Sequence, residues 1–153
     1  MPVIVKEVGC GISERVARKL LNVGVTYIDI AGAGGTSWAG VESYRGAKKR
    51  LAHKFWDWGI PTAESLVMVS RIRGARIIAS GGIEDGVAVA KALALGAELC
   101  GAALPLLKAL MENRVEGLLS LLQLWREELK MVMFLTGSRR IQDLSREGVI
   151  EKR

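Results

Sequence analysis

Four short β-rich runs alternate with helix-patterned stretches along this chain, and each run ends at or near a glycine. Val3 to Val5 is a β-branched run that passes through Lys6 and Glu7 into the turn Val8-Gly9-Cys10-Gly11. Ser13 is placed to cap the next segment, and Glu14 sits where the helix dipole favours an anion. Val16, Ala17, Leu20 and Leu21 then recur at helical spacing until Gly24. Thr26 to Ala31 is the second β-rich run, leading into the loop from Gly32 to Ser37, whose three glycines leave backbone amides uncovered by side chains. A longer polar connection, Trp38 to Trp58, carries Lys48, Lys49 and Arg50; Pro61-Thr62 then opens a helix to about Ile72, with Thr62 as its expected cap. Arg76 to Ala79 is the third run, Ser80 to Ile83 its loop, and Asp85 to Leu95 an alanine-rich helix closed by Gly96. Glu98 to Gly101 is the fourth strand, and Pro105 opens a last helical region that is rich in leucine from Val115 to Leu135. Residues 139–153 read as a short helix and a loose tail.

Alternating strands and helices imply parallel pairing through right-handed crossovers, hence an α/β fold. Four such units are half of a (β/α)8 barrel, which needs eight strands and about 250 residues, and an open four-stranded sheet leaves two edges unpaired. Residues 1–153 are therefore expected to be one domain, a carboxyl-terminal half-barrel with extra helices, completed by a missing amino-terminal half or by a second copy. The composition, 153 residues with 50% hydrophobic and 25% charged, excludes a disordered chain or a disulfide scaffold.

A net charge of +6 suits anionic small molecules at least as well as nucleic acid, and the basic clusters at 48–50 and 139–140 read as solvated faces. Cys10 and Cys100 stand far apart without neighbours at metal-ligand spacing, which points to a reducing compartment and no metal site. Cys10 reads as a small buried spacer. No stretch reaches the roughly 18 apolar residues of a membrane span, so a soluble, cytoplasmic protein is expected. His53 stands alone and reads as a surface histidine, and the leucine stripe from 118 to 135 as core or subunit contact.

In a parallel α/β protein the carboxyl ends of the strands open on one face, where ligands bind. The Ser80-Gly81-Gly82-Ile83 loop and the helix after it offer free amides and a helix amino terminus, which suit a phosphate, and the strand end at Gly101-Ala102-Ala103 lies beside them.

The segments Val3 to Gly9, Asp29 to Trp38, Trp58 to Thr62, Ala79 to Ile83, Ala90 to Ala97 and Leu135 to Gly137 resemble the carboxyl-terminal half of type 2 isopentenyl-diphosphate isomerase. The resemblance implies an FMN-binding TIM barrel of which these strands are the fifth to eighth. It implies that Lys6 approaches the flavin pyrimidine edge, that Thr36 bonds the FMN phosphate, and that Gly82-Ile83 with Ala103-Leu104 supply phosphate-binding backbone. Ala31 and Glu84 complete the implied cofactor set. It further implies a diphosphate substrate, NAD(P)H to reduce the flavin, Mg²⁺, and a homo-oligomer, tetramer or octamer. The catalytic and magnesium-binding residues belong to the missing first half. One position departs from the family: arginine usually follows the Gly-Gly-Ile, and here it is Glu84, which leaves the phosphate to the amides and Thr36, or to Arg45 or Lys91. FMN barrels that oxidise hydroxy acids carry a histidine where this second strand ends in Ala31.

Overall fold

A computed structural model describes residues 1–144. The elements run β1 (Ile4–Lys6), α1 (Glu14–Asn22), β2 (Tyr27–Asp29), α2 (Trp38–Arg45), α3 (Lys49–Lys54), α4 (Thr62–Ser70), β3 (Arg76–Ala79), α5 (Gly86–Ala94), β4 (Leu99–Cys100) and α6 (Leu104–Leu135), with a 3-10 turn at Ile141–Asp143. The four strands pair in parallel in the order β1-β2-β3-β4. Sequential order matters, because right-handed crossovers that always step the same way put every helix on one face, as in a barrel wall and unlike a doubly wound sheet.

Register decides which side chains share a face. Val5, Ile28 and Ile77 are level, and Ile28 and Ile77 are buried with Ile30, Leu66, Val69 and Ala17 in the core between sheet and helices. Lys6, Asp29, Ile78 and Leu99 are level on the opposite face, the one a closed barrel would enclose. There Ile4 is 55% and Leu99 62% exposed, so the inner apolar layer at both sheet edges is uncovered.

Local signals account for most element boundaries. Ser13 caps α1 by accepting from the Val16 amide, and Asp85 caps α5 by accepting from Ala88. Expectation fails at four places. The connection from 38 to 58 holds two helices: Ser37 caps α2, and Trp56 lies against Gly40, where a methyl would stand 3.1 Å from the indole. Thr62 does not cap α4, since Pro61 precedes it in that position and the Thr62 hydroxyl donates to the Gly81 carbonyl at 2.6 Å. Cys10 is exposed: its carbonyl accepts from the Ile60 amide at 2.8 Å, so the loop packs through its backbone and the side chain stays outside. Finally, α6 starts at Leu104 and breaks at Asn113 and Arg114, the latter at φ +52°, so the leucine-rich part is a separate segment. That segment packs on α5 through residues such as Trp125 but leaves Leu119, Leu122, Met131 and Phe134 exposed. Of the expected carboxyl-terminal helix and tail, residues 145–153 lie outside the described residues.

Candidate functional site

At the carboxyl ends of β1, β2 and β3 three polar side chains converge. Asp29 is buried, at 7% exposure, and a buried carboxylate is costly unless all its oxygens are matched. They are: Oδ1 accepts from the Ser80 hydroxyl at 2.6 Å and from the Ala31 amide at 3.1 Å, and Oδ2 lies 3.3 Å from Lys6 Nζ. The Lys6 ammonium also donates to Ser80 Oγ at 3.2 Å and to the Glu7 carbonyl at 3.1 Å, while about half of its side chain remains open to the cleft. Glu7 turns back into its own loop, where its carboxylate accepts from the successive amides of Val8, Gly9 and Cys10.

The glycine loops pack backbone to backbone. Gly81 and Gly82 both have positive φ, and a Cβ on Gly81 would collide with the Gly32 carbonyl oxygen. The Gly32 amide donates to the Ser80 carbonyl at 3.0 Å, and Thr62 donates to Gly81, so the loops after β2 and β3 form one surface. Among the described residues, no protein acceptor takes the amides of Gly82, Ile83 or Ala103.

The helix amino terminus expected to hold a phosphate already carries two carboxylates. At the start of α5, Asp85 takes the Ala88 amide at 2.6 Å and Glu128 from α6 takes the Gly86 amide at 2.6 Å. Two carboxylates already take two of the amides at that end and would repel a third anion. The start of α6 differs: Ala103 provides no side-chain cap, Pro105 has no N–H to satisfy, and this end opens on the cleft. The backbone donors left open on the cleft are therefore those of the Ser80 to Ile83 loop and of the start of α6.

All eight residues implied by the resemblance, Lys6, Ala31, Thr36, Gly82, Ile83, Glu84, Ala103 and Leu104, line one open cleft of about 250 Å³. Ala31 holds φ +32°, a conformation strained for a residue with a Cβ, pinned by the hydrogen bond its amide donates to Asp29 Oδ1. Thr36 and Glu84 are exposed on the rim. Neither alternative cation reaches the cleft lining: Arg45 pairs with Glu42 at 3.2 Å on α2, and Lys91 lies on α5. His53 is exposed on α3 beside Trp56. Sequence reasoning missed Asp29 and the side-chain role of Ser80, which it read only as part of a glycine loop; an acidic residue ending a β-rich run just before a glycine loop was the available signal for the first. Burial pushes the Cys100 thiol up to about 11, away from the thiolate form. Among the described residues, no three His, Cys, Asp or Glu side chains gather as metal ligands would.

Residues 1–151 match the model of the FMN-dependent dehydrogenase family. The chain is 51% identical, over 97% of its length, to the isopentenyl-diphosphate delta-isomerase of Pyrococcus furiosus, and 47% identical over 98% to that of Methanothrix thermoacetophila. It spans 39% and 43% of those relatives. Among solved structures, an active chimera of (S)-mandelate dehydrogenase superposes with a TM-score of 0.78 at 20% identity, covering 99% of this chain and 37% of the other. A mandelate oxidase mutant with the monooxide FMN adduct gives 0.70 at 23% identity, over 95% of this chain and 40% of the other. Those likenesses bear on fold, and they match the partial barrel read from the strand order. On the family match over nearly its whole length, the chain belongs to the FMN-dependent dehydrogenases.

Proposed function

We propose that this chain is the carboxyl-terminal half-barrel of an isopentenyl-diphosphate delta-isomerase and that its cleft cradles FMN. The observation that carries the reading is the convergence in one cleft of the amides of Gly82, Ile83 and Ala103, unpaired among the described residues, with an uncapped helix start and a tethered ammonium. That donor set fits a phosphate at one end and a ring that gains negative charge at the other. In this reading the amides and the rim hydroxyl of Thr36 hold the phosphate, and Lys6 faces the pyrimidine edge of the flavin. Reduced FMN, when bound, supplies acid–base chemistry at the substrate alkene, so the isomerisation consumes no electrons overall.

This chain's own contribution is binding and electrostatics. Lys6 stabilises negative charge in the cleft, and the closely packed glycine loops hold the amides in place to receive the phosphate. The uncovered inner layer at Ile4 and Leu99 is covered by an amino-terminal half-barrel, which also contributes the catalytic and Mg²⁺-binding groups, or by a second copy. NAD(P)H as reductant, a cytoplasmic location and a homo-oligomer, tetramer or octamer, belong to the same proposal. Oxidation of hydroxy acids is disfavoured by Ala31 at the cleft, because the chain's single histidine, His53, lies on α3 away from it.

The test is to purify the complete enzyme, record flavin absorbance, reduce it and follow conversion of isopentenyl to dimethylallyl diphosphate. Bound flavin with conversion is expected. Flavin that is bleached by a 2-hydroxy acid, without isomerisation, would overturn the assignment.

A further inference from the structure

We propose that Asp29 is the positioning residue for Lys6, and that Ser80 fixes Asp29 in that role; the inference rests on the reading of the cleft as a flavin site. A lysine ammonium on a flexible four-carbon stem, with half its side chain open, has many conformations, and solvent is the default place for its charge. Here three groups from three strand ends fix it: Asp29 Oδ2 at 3.3 Å, Ser80 Oγ at 3.2 Å and the Glu7 carbonyl at 3.1 Å. The arrangement has a direction. Asp29 is buried and its other oxygen is occupied by the Ser80 hydroxyl and the Ala31 amide, so the carboxylate is the fixed end and the ammonium the adjustable one.

The strained Ala31 belongs to the same unit, because its amide is what locks Asp29 Oδ1. Asp29 therefore couples the backbone of the glycine loop to the position of the cation. Replacing it by asparagine keeps an acceptor for Ser80 and Ala31 but turns an amide N–H₂ towards the ammonium, and two donors facing each other drive Lys6 out. Asp29 acts through Lys6, so its removal should copy the loss of Lys6.

Two measurements on Asp29→Asn test this. In the protein without FMN, the rate of acetylation of Lys6 by acetic anhydride is read by mass spectrometry against exposed Lys19 as internal reference. The Lys6 rate should rise about threefold, in line with the loss of one ion pair that is partly open to solvent. In the complete enzyme with FMN, the flavin reduction potential should fall, as it should in Lys6→Ala, and the double variant should fall no further. An unchanged acetylation rate would overturn the proposal. A potential that rises would also overturn it, since Asp29 would then be a counter-charge that damps Lys6 instead of holding it.

Ser80→Ala, which keeps the charges and removes only the hydroxyl, guards against loss of fold. It should move both readouts in the same direction by less, and no movement in either would again count against the proposal. If the wild-type enzyme takes up no FMN, the reading of the cleft fails, and the acetylation rate alone still decides whether Asp29 holds Lys6.

Discussion

Single residues set the charge of this cleft, and they do so in ways that residue type alone does not reveal. Lys6 stands out in the sequence as a cation at a strand end, yet its partners Asp29 and Ser80 lie 23 and 74 residues away and meet it only through the β1-β2-β3 register. A carboxylate that ends a β-rich run is visible in the sequence; what it pairs with is not. Glu84 poses the opposite case, since the resemblance implies an arginine at this position and the structure puts the carboxylate on the rim of the cleft, exposed. An arginine there could make charge-assisted bonds to a phosphate that a carboxylate can only repel. Glu84→Arg should therefore tighten FMN binding to the complete enzyme by about 1–3 kcal/mol, with a gain that shrinks as salt is added. Fluorescence titration of both proteins measures it, and equal affinities would mean that residue 84 has no access to the phosphate.

At the scale of elements, the caps that depend on one nearby side chain are legible in the sequence and those that depend on tertiary packing are not. Ser13 works as its position suggests, and Asp85, read from the sequence as the first residue of its helix, proves to be the cap. Thr62 has the right type and place for a cap but is drawn away by the Gly81 carbonyl. The α2–α3 pair is hidden in the sequence because α3 has no side-chain cap and buries nothing, so it carries no apolar period to read. The amino terminus of α5 looks free in the sequence for a similar reason, as Glu128 reaches it from 42 residues away.

One tie between elements has a measurable weight. Ser65, fully buried on α4, accepts from the Ile12 amide at 3.0 Å and donates to the Ile12 carbonyl at 2.8 Å, clamping α4 to the loop that enters α1. Ser65→Ala leaves a buried donor and acceptor unmatched, which costs about 1–3 kcal/mol. Urea unfolding should show a lower midpoint with an unchanged slope; an unchanged midpoint would show that the clamp carries no weight.

For the whole molecule, the alternation of strands and helices is the most legible feature, because four βα units joined by right-handed crossovers admit few arrangements, of which the structure has the sequential one. That order builds an incomplete barrel: a wall with a packed outer core, an inner apolar layer exposed at both edges, and the strand carboxyl ends opening on one cleft. The relatives, of which this chain covers about two fifths, have the length to supply the rest. In the proposed function, this cleft recognises a flavin by its phosphate, through the amides of Gly82, Ile83 and Ala103 and the open start of α6. Comparing FMN with riboflavin, which lacks the phosphate, tests that recognition most directly in the complete enzyme. Two or more charge-assisted bonds predict that FMN binds at least about 100-fold more tightly, with a gap that narrows as ionic strength rises. Equal affinity for FMN and riboflavin at every salt concentration would contradict it.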